Sequence, residues 1–240
     1  MSTRTFDELA GHGIPVTDGL RAIYNRAAAA WDPKPIVFDL DYQQPGSNGG
    51  MRNYEDRIQI WLNREAPDPT GTLIHELAHA VLARDGGGAR IAADRLGGSV
   101  RKILSDLINI TEHGRVHAIM ADYGVDVAAE NGQRSKDFLR DIANAPLDRN
   151  GNNLHLSVGY AMMLTVHRVE ELVPAIRRAM HGKSENVARF GEALAEYVAS
   201  DRNTTAYEDA QALLRIADVR PDLRAHVLSD EEFRDRYGWA

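Results

Sequence analysis

His75-Glu76-Leu77-Ala78-His79 places two imidazoles and a carboxylate within five residues. On a helix, residues four apart stand one turn apart on the same face, so His75 and His79 can both reach one tetrahedral metal ion. HExxH in that setting is the arrangement of a mononuclear zinc hydrolase, and Glu76 beside the pair is the candidate general base. The same five letters in a strand or loop would not converge on one ion, so the chemistry depends on the helix.

The flanking residues predict that helix over 70–85. Asp68-Pro69-Thr70 supplies a turn and an N-cap, Leu73, Leu77 and Val81 recur every four residues, and Gly86-Gly87-Gly88 stops the run. Upstream, Val16 to Trp31 reads as a helix with Leu20, Ile23, Tyr24 and Ala27 on one stripe, and Pro33 and Pro35 end it. Ile36 to Leu40 is a short strand. Gln43 to Asn53, with Pro45 and three glycines, reads as a loop. Across 57–63, Ile58, Ile60 and Leu62 alternate with Arg57, Gln59, Trp61 and Asn63, the period of a half-buried strand, and its place before the HExxH helix makes it the expected edge strand. An exposed edge can pair with an extended peptide, so substrate is expected along 57–63. Trp61 is read as a partly exposed aromatic on that strand rather than a substrate contact.

A catalytic zinc keeps three protein ligands and an open position, so a further His, Asp or Glu must come from outside the HExxH helix. Ala80 to Asp85 lacks the Gly-x-x-His continuation, which excludes the extended three-histidine motif. Val100 to Tyr123 reads as the next long helix, after Gly97-Gly98-Ser99 and ended by Gly124. It carries Asn109-Ile110-Thr111-Glu112-His113-Gly114-Arg115-Val116, and a carboxylate from this second helix, Glu112, is the simplest third ligand. HELAH followed by a helix with Asn-x-x-Glu-x-x-Arg-Val resembles the gluzincin type of zincin metallopeptidase, particularly the minigluzincins and the metallopeptidase-like domains that accompany von Willebrand A modules. The resemblance covers roughly residues 36–123. It implies zinc held by His75, His79 and Glu112, with Glu76 as base.

Other residues of the second helix invite roles with less to separate them. Gly114 costs about 1 kcal/mol in a helix interior, which close packing against the HExxH helix would offset. Arg115, one turn after Glu112, either orients that carboxylate or contacts substrate, or forms a structural ion pair with Asp106, Asp122 or another acid. His113 and His117 also stand four apart, but no base lies beside them, and a second metal there is not expected. His117 is instead a candidate to stabilise an oxyanion, a role for which Tyr123, His155 and Tyr160 compete.

Composition bounds the remainder. The chain has 240 residues, 43% of them hydrophobic, enough for a buried core in one large domain or two small ones. There is no cysteine, which removes disulfides, cysteine-ligated zinc and a thiol nucleophile, so a metal must use histidine and carboxylate. A net charge of −7 argues against nucleic acid as partner. No apolar run approaches a membrane span, and Met1 to Glu8 lacks the apolar centre of a signal peptide, so cytoplasmic residence is expected. Asp148 to Asn153 resembles a calcium loop only in its first positions and reads as a polar turn capping a helix from Leu154. From there the chain looks helical, with breaks near Gly182, Arg202-Asn203 and Arg220-Pro221, and has no room for a von Willebrand A sheet.

The expectation is an α+β, mostly helical protein: a small zincin-type sheet with an edge strand, the HExxH helix and the Glu-bearing helix in a core over 1–150, and a helical part over 151–240 packed on it, or one domain throughout. Its expected activity is zinc-dependent peptide hydrolysis on a peptide or protein substrate. The alternatives are a degenerate or structural zincin, with His117 completing a closed site, and a protease kept latent by the glycine-rich segments 43–53 and 86–98 acting as lids.

Overall fold

The computed structural model describes residues 3–41, 48–63, 65–85, 89–92, 96–149, 151–200 and 204–237. Thr17 opens the first helix, α1 (Asp18–Trp31), by accepting the Leu20 N–H at 3.2 Å, and Leu20, Ile23, Ala27 and Trp31 form its buried stripe. Strands β1 (Ile36–Asp39), β2 (Gly49–Asn53) and β3 (Ile58–Leu62) follow, then α2 (Pro69–Asp85), β4 (Ala89–Ile91) and the long α3 (Gly98–Asp122). The rest is α4 (Val127–Ile142), α5 (Leu154–Leu164), α6 (Val173–Lys183), α7 (Glu185–Ala199), α8 (Ala206–Ile216), α9 (Pro221–Arg224), β5 (Val227–Ser229) and α10 (Asp230–Tyr237). The protein is α+β and mostly helical, with one three-stranded and one two-stranded sheet among the described residues. No described helix is long and apolar enough to cross a membrane.

Two compact units alternate along the chain. The first takes Met1–Gly86 and Arg115–Val125, the second Gly87–Gly114 and Asp126–Ala240. This differs from the single break near residue 150 read from the sequence, because α3 gives its first part to one unit and its last part to the other.

In the first unit the sheet runs β1-β3-β2, with β1 parallel and β2 antiparallel to β3. Strand 57–63 is therefore central, not the edge, and part of the expected loop, 49–53, is the edge strand. The glycines that disguise β2 are what let it pair: a Cβ on Gly50 would stand 1.8 Å from Trp61 Cζ2, so the indole lies across bare backbone. Arg52 stacks over the same indole, its Cζ 5.4 Å from the ring. The opposite edge is covered, since Arg4 and Phe38 exchange backbone hydrogen bonds of 2.7 and 2.8 Å. Helix α1 packs on α2, where Trp31 Nε1 donates to Ala80 O at 2.8 Å, and α2 also packs against β2 and β3.

The second unit is a helical cluster in which β4 pairs antiparallel with β5. Asp126 caps α4 by accepting the Ala129 N–H, and Asn153 caps α5 by accepting the Leu156 N–H at 2.9 Å, as the polar turn predicts. Leu104, Leu107, Ile110, Tyr160, Ile176, Leu194 and Leu213 are among its fully buried side chains. The break expected at 202–203, the glycine stop at 86–88 and the segment 43–47 lie outside the described residues.

Candidate metal centre

Helix α2 is fixed at its start by Asp68, whose Oδ1 accepts the Gly71 N–H at 2.9 Å while its carbonyl accepts the Thr72 hydroxyl at 2.8 Å. Leu73, Ile74, Leu77, Ala78, Ala80 and Val81 are buried, so apolar contact encloses most of the helix circumference. The remaining face carries His75 and His79, both half-buried, with Glu76 only 9% exposed between them. The Nε2 atoms of the two histidines are 3.2 Å apart, with ring centroids at 4.9 Å and planes at 63°. Two imidazole nitrogens bound to one zinc at about 2.0–2.1 Å with a tetrahedral angle stand about 3.3 Å apart. The donor set therefore fits zinc without rearrangement of α2.

His117, buried on the last part of α3, brings its ring to 6.4 Å from that of His75. One turn back on the same helix face is His113, two residues before the first unit's part of α3 begins. The ligand nitrogens of His75, His79 and His113 all lie within 4.8 Å of one another, and these three are the group able to hold a metal among the described residues. His117 and Glu112 are not members of it. Glu112 is buried, 6% exposed, and its Oε1 accepts the Ala89 N–H at 3.4 Å. Sequence reading set His113 aside for want of a neighbouring base; the signal was its four-residue spacing from His117, which puts both rings on one face.

Several other expectations resolve differently. Gly114 is exposed and a Cβ there would meet nothing within 4 Å. Tyr160, weighed as an oxyanion group, is wholly buried in the second unit and donates to Glu192 Oε1 at 3.1 Å; burial and that carboxylate push its phenol well above the usual range. His155 Nδ1 meets Asp106 Oδ2 at 2.8 Å, and Lys102 Nζ meets the same carboxylate at 3.2 Å, so Asp106 serves these two rather than standing in wait for Arg115. Arg115 itself is half-buried on α3, and Tyr123 is half-buried just past its end.

Edge strand β2 comes close to the face of α2 that carries Glu76. A Cβ on Gly49 would stand 2.7 Å from Thr72 Cγ2 and 3.5 Å from Glu76 Cγ. On its other side β2 has no partner strand among the described residues. The strand at the end of the sheet thus runs beside the glutamate. No protein-family pattern, no characterised protein and no solved structure matches the chain.

Proposed function

We propose that the protein is a zinc-dependent metallopeptidase of zincin type, with His75, His79 and His113 as the protein ligands. The observation that carries this reading is the 3.2 Å separation of the His75 and His79 Nε2 atoms on a helix whose intervening Glu76 is buried beside strand β2. His113 takes the place that the resemblance gives to Glu112, because His113 belongs to the gathered group and Glu112 does not.

When bound, zinc supplies Lewis acidity, lowering the pKa of water to about 7 and polarising a carbonyl. Glu76 accepts the proton that the attacking water loses and returns it to the leaving amine nitrogen. The β2 edge holds the peptide extended, replacing the 57–63 edge expected from sequence. His117, buried beside His75, opposes the charge that develops on the carbonyl oxygen by donating a ring N–H, with Arg115 as a further donor on the same part of α3.

The proximity of His117 to His75 favours a second reading, in which a fourth histidine closes the site and the metal is structural. Three gathered ligands rather than four favour the open, hydrolytic one. The test is Glu76→Gln assayed on a proteome-derived peptide library by mass spectrometry. Retained zinc with at least a 100-fold loss of new termini supports the peptidase; equal cleavage by variant and wild type removes Glu76 from the mechanism, and no cleavage by the wild type supports the structural reading.

A further inference from the structure

A second buried histidine stands beside His113 with its own fixed hydrogen bond. His167 is 2% exposed and lies in the second unit. Its backbone is held at both ends, the N–H donating to Met162 O at 2.8 Å and the carbonyl accepting the Ser135 hydroxyl at 3.0 Å. Its ring Nδ1 meets Asn131 Oδ1 at 2.9 Å. The orientation of Asn131 is set independently, because its Nδ2 donates to Val166 O at 3.3 Å. An amide oxygen only accepts, so Nδ1 of His167 carries the hydrogen and Nε2 of the neutral ring is an acceptor.

The His113 ring lies 6.1 Å away, centroid to centroid, with the planes at 45°. His113 Nδ1 and His167 Nε2 are both buried. Ring nitrogens sit about 1.2 Å from an imidazole centroid, so nitrogens of the two rings stand about 3.7 Å apart or more, a gap that one water spans. A metal-ligating histidine donates its outer N–H to a partner that fixes its tautomer and aim, and such partners typically contribute 10–100-fold to metal affinity.

We infer that His167, locked by Asn131, is a positioning residue that receives the Nδ1–H of His113 and aims His113 Nε2 at the metal. The inference rests on the proposed metal centre with His113 as a ligand. It accounts for a buried Asn-His pair that the hydrolytic chemistry does not otherwise use. The line of groups is Asn131, His167, His113, metal, and each link fixes the hydrogen position of the next.

Two substitutions separate positioning from mere packing. His167→Asn puts an amide nitrogen near the Nδ1 position and keeps the bond to Asn131, but has nothing at Nε2; His167→Gln restores an amide oxygen there. Zinc affinity of the full chain is measured by competition with a chromophoric chelator, beside the melting temperature of each metal-free protein. The expected result is a 10–100-fold weaker zinc affinity in His167→Asn, recovery of most of it in His167→Gln, and metal-free melting close to wild type in both. If His167→Asn does not fold, Asn131→Leu, which releases the ring without altering it, is expected to give a tenfold or larger loss. Wild-type affinity in these variants, while His113→Ala still loses zinc, overturns this inference alone. Zinc binding that survives His113→Ala, or no zinc in the wild type, overturns the metal-centre reading and this inference with it.

Discussion

Gly49→Ala tests the close approach of β2 to the HExxH helix, α2. The added methyl would stand 2.7 Å from Thr72 Cγ2 and 3.0 Å from the Trp61 carbonyl oxygen, against an ordinary carbon–carbon contact of about 3.5–4.0 Å. Thr72 cannot turn aside freely, because its hydroxyl donates to Asp68 O at 2.8 Å in the first turn of α2. Losing that bond costs about 1 kcal/mol, and retaining it forces β2 outward at an overpacking cost of about 1–3 kcal/mol. Alanine recovers about 0.4–1 kcal/mol from the unfolded chain, which leaves a net destabilisation of up to about 2.5 kcal/mol. Thr72→Ser deletes the methyl and keeps the hydroxyl, so in that background the cost is expected to fall by about 1 kcal/mol. Urea unfolding followed by tryptophan fluorescence reads the relevant part of the molecule, since Trp31 and Trp61 both lie in the first unit. An equal cost in both backgrounds would refute the contact between β2 and α2 on which substrate placement depends.

Two other outcomes follow from single residues. Gly114→Ala, exposed in α3 with open space around it, is expected to raise stability by about 0.5–1 kcal/mol in urea unfolding; a loss of stability would show that the position is packed. His181 is drawn above the ordinary histidine range first by its hydrogen bond to Glu185, 2.8 Å from Nδ1, and then by Glu192, 3.2 Å from Nε2, while Glu185 is lowered by the same pairing. A raised folded-state pKa stabilises below the unfolded histidine value of about 6.5 and the effect is lost as pH rises through the raised value. His181→Gln should therefore lower the melting temperature relative to wild type at about pH 5.5, and little at about pH 8.5. A gap that is the same at both values would show that the ring acts by packing alone.

The legible parts of this protein were those where one sequence pattern decided one element. Leu73, Leu77 and Val81 with Asp68 specified α2, and HExxH on it set His75 and His79 one turn apart. Strand β2 was hidden because Gly49-Gly50 reads as a loop; those glycines are needed where Trp61 and α2 press on the backbone, a contact between segments that no local pattern records. Missing β2 then made the central strand β3 look like an edge. Strands β4 and β5 are three residues each and more than a hundred residues apart, too short for periodicity to show. Helix α4, with Asn131 and Gly132 in its interior, was likewise passed over, and with it the partner of His167. Glu112 and His113 differ by about 100° around α3, and periodicity alone does not say which of them joins the group with His75 and His79.

Zinc per chain, measured by mass spectrometry on purified wild type, His113→Ala and Glu112→Ala under the same low-metal conditions, tests the central claim most directly. The account expects one zinc in the wild type, much less in His113→Ala and close to one in Glu112→Ala. No zinc in the wild type after reloading would contradict the metal centre, and full zinc in His113→Ala with loss in Glu112→Ala would contradict its ligand set.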